Sequence, residues 1–144
     1  MKKLLLTTLL TGSLLLTACQ ADTMKAADAK KNLEAKSYNV SLYDKEETKA
    51  RVKGIEYDDS LSFTECVFAS KGKDDDQDLL LAFYFKNVKD AEAFVTGEHG
   101  NIAAMNTYIE INLGKNLKPR IGSHNNVAYC GSETSFAAAF PGVL

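Results

Sequence analysis

Leu79-Leu80-Leu81-Ala82-Phe83-Tyr84-Phe85 is the stretch on which the fold turns. An unbroken apolar run of this length suits a strand better than a helix, and apolar residues on both of its faces mark the most buried strand of a sheet. Upstream, Leu61, Phe63, Val67 and Ala69 occupy odd positions of Ser60–Ala69, interrupted by Glu65, with Ser62, Thr64, Cys66 and Phe68 opposite. A long second strand fits. The polar connection Lys71-Gly72-Lys73-Asp74-Asp75-Asp76-Gln77-Asp78 then makes the pair a hairpin.

Working outward, Tyr38, Val40 and Leu42 alternate with Asn39 and Ser41 as a half-buried strand should, and Asn126–Gly131 reads as a short late strand. Helices are expected at three or four places. Residues 24–36 are rich in helix formers, with Ala26, Ala29 and Leu33 at helical spacing. Asn87 is a good N-cap with Asp90 in the first turn, and Val88, Ala91, Phe94 and Val95 share one face until Gly97. In 101–113, Ile102, Met105, Ile109 and Leu113 suggest a helix stopped by Gly114, while Ile109, Ile111 and Leu113 also alternate like a strand. Helix is favoured. Ser132 caps a last helix through Phe136 and Phe140, ended by Pro141-Gly142, and the charged segment 45–53 reads as a loop or edge.

These elements predict an α+β domain over 24–144: an antiparallel sheet of about four strands with helices packed mainly on one face. The composition agrees, because 45% hydrophobic residues, 25% charged ones, 9 Gly and 2 Pro describe a folded chain. Among the 144 residues, 17 Lys and Arg face 19 Asp and Glu, so no basic footprint points to nucleic acid.

The N-terminus carries an address. Lys2 and Lys3, an apolar stretch Leu4–Leu16 and small residues at Thr17 and Ala18 have the three parts of a secretory signal peptide over 1–18. The apolar part is short of the roughly 20 residues that cross a bilayer. Its exit, Leu16-Thr17-Ala18-Cys19, resembles the lipobox of bacterial lipoproteins. That resemblance implies a diacylglyceryl thioether on Cys19, cleavage just before it, and a short tether over 19–23. The expected location is the extracytoplasmic side of a bacterial cell membrane, with the membrane as partner through acyl chains on Cys19. Loss of Lys2 and Lys3 with the leader moves the formal charge from -2 to -4, so a basic patch on anionic lipid plays no part in this reading.

With Cys19 assigned to lipid, Cys66 and Cys130 remain as an even pair in an exported chain. A disulfide between them is expected, closing a loop of about 65 residues and contributing roughly 4 kcal/mol on the chain-entropy model. Two free buried thiols are the alternative.

Catalytic and metal sets are sparse. Asp74, Asp76 and Asp78 alternate like a calcium loop, but Leu79 stands where the turn wants glycine and Phe85 where the last acid belongs. A solvated hairpin tip is the better reading, as a turn is for Asp58 and Asp59. His99 and His124 lie in loops without a second imidazole at helical spacing, and Ser70-x-x-Lys73 lacks the companion motifs of penicillin-recognising enzymes. No catalytic residue, metal or cofactor is therefore assigned. Tyr108 and Tyr129 are placed in the core in preference to a binding surface.

The globular part also resembles small lipoproteins of Gram-positive bacteria in four short motifs: the Ala-rich helix Ala26–Ala35, Tyr38-Asn39-Val40, Asp90-Ala91-Glu92-Ala93-Phe94, and Val127-Ala128-Tyr129-Cys130-Gly131. That likeness speaks to fold more than role. Two functions compete. One is a non-enzymatic envelope module that binds a protein, peptide or small ligand; the other is a small hydrolase in which His99 or His124 meets nearby carboxylates.

Overall fold

The computed structural model describes residues 23–143. The elements run α1 (Ala26–Ala35), β1 (Asn39–Asp44), α2 (Lys45–Arg51), β2 (Phe63–Lys71), a 3-10 turn (Asp74–Asp76), β3 (Asp78–Phe85), α3 (Val88–Thr96), α4 (Ile102–Asn112), β4 (Pro119–His124), β5 (Val127–Ser132) and α5 (Glu133–Ala139). The strands form one antiparallel sheet in the order β1-β2-β3-β5-β4. This is the expected α+β class, with β3 at the centre and all eight of its residues buried.

The sheet has five strands where about four were expected, and its helices are divided between both faces. Leu79, Leu81, Phe83 and Phe85 point to a core closed by Ala91, Phe94 and Val95 of α3 and Met105 and Ile109 of α4. Leu80, Ala82 and Tyr84 point the other way, to Ala26, Ala29 and Leu33 of α1 and Phe136 and Ala139 of α5. A strand that is apolar on both sides needs a cover on both sides, and the chain supplies a helical pair for each.

The extra strand, β4, is an edge strand with Pro119 at its first position, where a missing amide donor is tolerated. Its residues are only half buried, so no alternation announced it. Segment 45–51 is also corrected, from loop to helix. It buries only Thr48, and what fixes it is a capping box in which the Asp44 carboxylate accepts from the Glu47 amide at 2.8 Å while Glu47 accepts from the Asp44 amide at 3.1 Å. The ambiguous stretch 101–113 is helical. Gly114 does more than stop it, because an added Cβ would clash with the Asp75 carbonyl and Gln77 amide of the β2–β3 connection.

Alternation in β2 breaks where the register shifts between Phe63 and Glu65. The bulge reverses the parity, so Phe63 shares a core with Cys66 while Val67 and Ala69 face α1. The expectation of a single odd-numbered face failed at that point.

Candidate ligand pocket at the chain entry

Asn126 is 3% exposed and clamps the chain at Met24. Its Oδ1 accepts from the Met24 amide at 2.7 Å, and its Nδ2 donates to the Met24 and Phe85 carbonyls, each at 3.0 Å. The strap from Thr23 is thereby fixed to the end of β3. Asn101 does the same elsewhere, joining Glu56 to the end of α3: it accepts from the Glu56 amide at 2.8 Å and donates to the Glu56 carbonyl at 2.9 Å and the Phe94 carbonyl at 3.1 Å. In each case a buried side-chain amide satisfies backbone groups that no strand reaches.

Beside the Asn126 clamp lies a cavity of about 490 Å³, lined by the strap and first turn of α1, by Thr64 and Glu65 of β2, by Tyr84, Phe85 and Lys86, and by Asn126. Two features of this cavity stand out. The first is the N-terminus of α1: Lys25 is its N-cap and offers no side-chain cap, and the amides of Ala26 and Ala27 find no acceptor among the described residues. The second is Tyr84. It is 2% exposed and its hydroxyl has no hydrogen-bond partner among the described residues. Burial, then the nearby Cys66, Glu65 and Asp28, raise its pKa, so it stays a neutral phenol able to donate.

Glu65 is the direct cross-strand partner of Tyr84. Val67, two residues further along β2, packs on the α1 face, and strand periodicity puts Glu65 on that face too. No salt bridge engages Glu65 among the described residues. Lys25 and Lys86 line the cavity with the opposite charge.

A second polar cluster is fully satisfied. Asp78, 6% exposed, accepts from the Tyr38 hydroxyl at 2.6 Å and from the Ser132 hydroxyl. Ser132 caps α5 by accepting from the Ser135 amide at 2.8 Å, and the Ser135 hydroxyl donates to the Leu79 carbonyl at 2.8 Å. This cluster docks α5 on β3. No imidazole or lysine joins it among the described residues.

The remaining candidate residues do not converge. His99 Nδ1 lies 3.7 Å from the exposed Glu56 carboxylate, past the end of α3. His124 ends β4 opposite Val127, which itself pairs with Tyr84 near the end of β3. Among the described residues the two imidazoles share no hydrogen-bond or ion-pair partner. No group of three or more His, Cys, Asp or Glu side chains able to hold a metal exists among the described residues. Asp74–Asp76 form an exposed 3-10 turn, and Ser70 and Lys73 lie at the β2 end of that connection.

The expected disulfide is corrected. Cys66 and Cys130 are both buried free thiols. They lie on β2 and β5 with β3 between them, Cys66 opposite Phe83 and Cys130 opposite Leu81. Two strand spacings come to roughly 9.6 Å, beyond the ~7 Å that a disulfide can span between Cα atoms. Burial pushes both thiols up, Cys130 to about 12, so neither is a ready nucleophile. Tyr129 is buried against Phe136, with centroids 4.4 Å apart, and Tyr108 is half-buried against the α3/α4 core. Cys19 and the lipobox lie outside the described residues.

No protein-family model matches the chain, and no curated protein or solved structure does either. What fold and site define together is a two-faced α+β sandwich with an open pocket beside its chain entry.

Proposed function

We propose that this chain is an extracytoplasmic lipoprotein of a bacterial membrane, anchored by acyl chains on Cys19, and that its domain is a non-enzymatic binding module for an envelope protein, peptide or small ligand. The observation that carries the reading is the short path between anchor motif and fold. Thr23 stands four residues after Cys19, a reach of roughly 14 Å when extended, and Met24 is already clamped by Asn126. A domain on so short a tether works close to the bilayer, and a cavity opens beside that tether. No helix among the described residues is long and apolar enough to cross a membrane, so attachment falls to the N-terminus in this reading. For the hydrolase alternative the described residues offer one imidazole–carboxylate pair, His99 and Glu56 at 3.7 Å, and both side chains are exposed.

Detergent phase partition and mass spectrometry of the processed chain test the anchor. The wild-type chain is expected in the detergent phase with a diacylglyceryl mass on Cys19, and Cys19→Ala without it. An unmodified thiol at Cys19, or cleavage elsewhere, overturns the reading.

A further inference from the structure

We propose that the outer edge of β1 is a self-association surface, on which a second copy of this chain pairs antiparallel, strand to strand, across a two-fold axis at Ser41. This goes beyond the binding-module reading and holds with or without a lipid on Cys19.

The two edges of the sheet are treated differently. β4 begins with Pro119, contains Gly122 and has α3 and α4 packed against it, so it is both blunted and covered. β1 contains no proline, glycine or bulge, and its six residues pair with residues 65–70 of β2 in unbroken register. Tyr43 stacks on Phe68 with centroids 6.5 Å apart, and the Arg51 guanidinium lies over Tyr43 at 5.1 Å, which holds the strand in place. On the outer side no strand, and no hydrogen bond to the backbone of residues 39–43, is present among the described residues. Leu42 is 41% exposed there. An unprotected edge of this kind is a template for another strand.

Charge selects the occupant. At the start of β1, Lys36 and Lys71 form no salt bridge among the described residues; at its end, neither do Asp44, Glu46, Glu47 and Glu65. Lys45 and Lys49, near the acidic end, are both engaged by Asp59. A strip that is basic at one end and acidic at the other complements its own copy when the two run antiparallel and repels it when they run parallel. Alternation restricts the register, because residues opposed across a ladder must share a sheet face. Val40 packs against the α1 core, and Leu42, two residues on, shares its face. An axis at Ser41 sets Leu42 against the partner's Val40 and brings Lys36 toward the partner's Glu46. An axis at Leu42 would set Val40 against the partner's Asp44, an apolar side chain against a carboxylate.

The test combines cysteine cross-linking with sedimentation of the processed chain in density-matched detergent. Ser41→Cys lies on the axis, where opposed Cα atoms are about 4.5–5.5 Å apart and within disulfide reach. Under mild oxidation it is expected to give a covalent dimer, whereas Ser123→Cys on β4 is expected to give no more than the parent chain, in which Cys66 and Cys130 are buried. Sedimentation of the parent chain is expected to show two copies per particle. Leu42→Lys is expected to weaken the dimer about tenfold or more, with the melting temperature of the dilute chain nearly unchanged because Leu42 is already exposed. Lys36→Glu is expected to weaken it too, and Glu46→Lys in the same chain to restore it. A single copy at every concentration, no excess of cross-link in Ser41→Cys over Ser123→Cys, wild-type association in Leu42→Lys, or no rescue by the charge exchange overturns the proposal. If Cys19 is unacylated, the same measurements run without detergent, so loss of the anchor reading leaves this outcome readable.

Discussion

The two faces of the sheet are built from different materials. Toward α3 and α4, Phe63, Phe83, Phe85 and Phe94 form a continuous aromatic cluster with centroids 4.9–6.1 Å apart, joined by Tyr57. Toward α1 and α5 the buried residues include Ala26, Ala29, Ala69, Ala82 and Ala139, interspersed with Tyr38, Tyr84 and the Asp78–Ser132–Ser135 cluster. The aromatic face draws on area and close packing, with polar groups entering only at its margins through Asn101 and the Tyr57 hydroxyl. The alanine face lets helices approach closely but must satisfy polar groups one by one, and at Tyr84 it leaves one unsatisfied beside the cavity. A local rule broken on an otherwise consistent scaffold is where function is sought.

The sharpest way to break this contrast is Phe83→Ala. Phe83 is fully buried at the centre of the aromatic cluster, so its loss is expected to cost about 3–5 kcal/mol in chemical denaturation. Asp78→Ala probes the other face. It strands the Tyr38 and Ser132 hydroxyls in a buried site and is expected to cost about 2–3 kcal/mol, with Tyr38→Phe costing less because it leaves Ser132 paired. A loss under about 1 kcal/mol for Asp78→Ala would mean that apolar contacts hold α5 unaided.

The smallest effect is electrostatic. Asp90 accepts from the Ser62 amide at 2.8 Å, which together with Asn87 holds its carboxyl below the usual range. A lowered folded-state pKa gives stability that is present above the unfolded value near 4 and is lost as pH falls through the folded value. Asp90→Asn is therefore expected to flatten the acid limb of the stability curve slightly. The group is only part-buried, so the change is small.

How much of this was legible depends on what each element buries. Helix α1 was readable because Ala26, Ala29 and Leu33 recur at helical spacing, and all three are buried. Both proposed caps act as such: Asn87 accepts from the Asp90 amide and Ser132 from the Ser135 amide. Helix α2 was not readable from apolar periodicity, since it has almost none; the Asp44-x-x-Glu47 spacing was the signal that could have found it. The bulge at Thr64 and the edge strand β4 depend on pairing partners far along the chain. So does the pocket. Tyr84 reads as one more core aromatic until the register sets Glu65 opposite it and α1 ends above it. The disulfide expectation erred for the same reason, since cysteine parity says nothing about which strand lies between two thiols.

The Asn126 clamp has a mechanical consequence. Because one side-chain amide joins the Met24 backbone to Phe85, a pull on the chain at Thr23 is delivered straight to the central strand instead of peeling α1 away first.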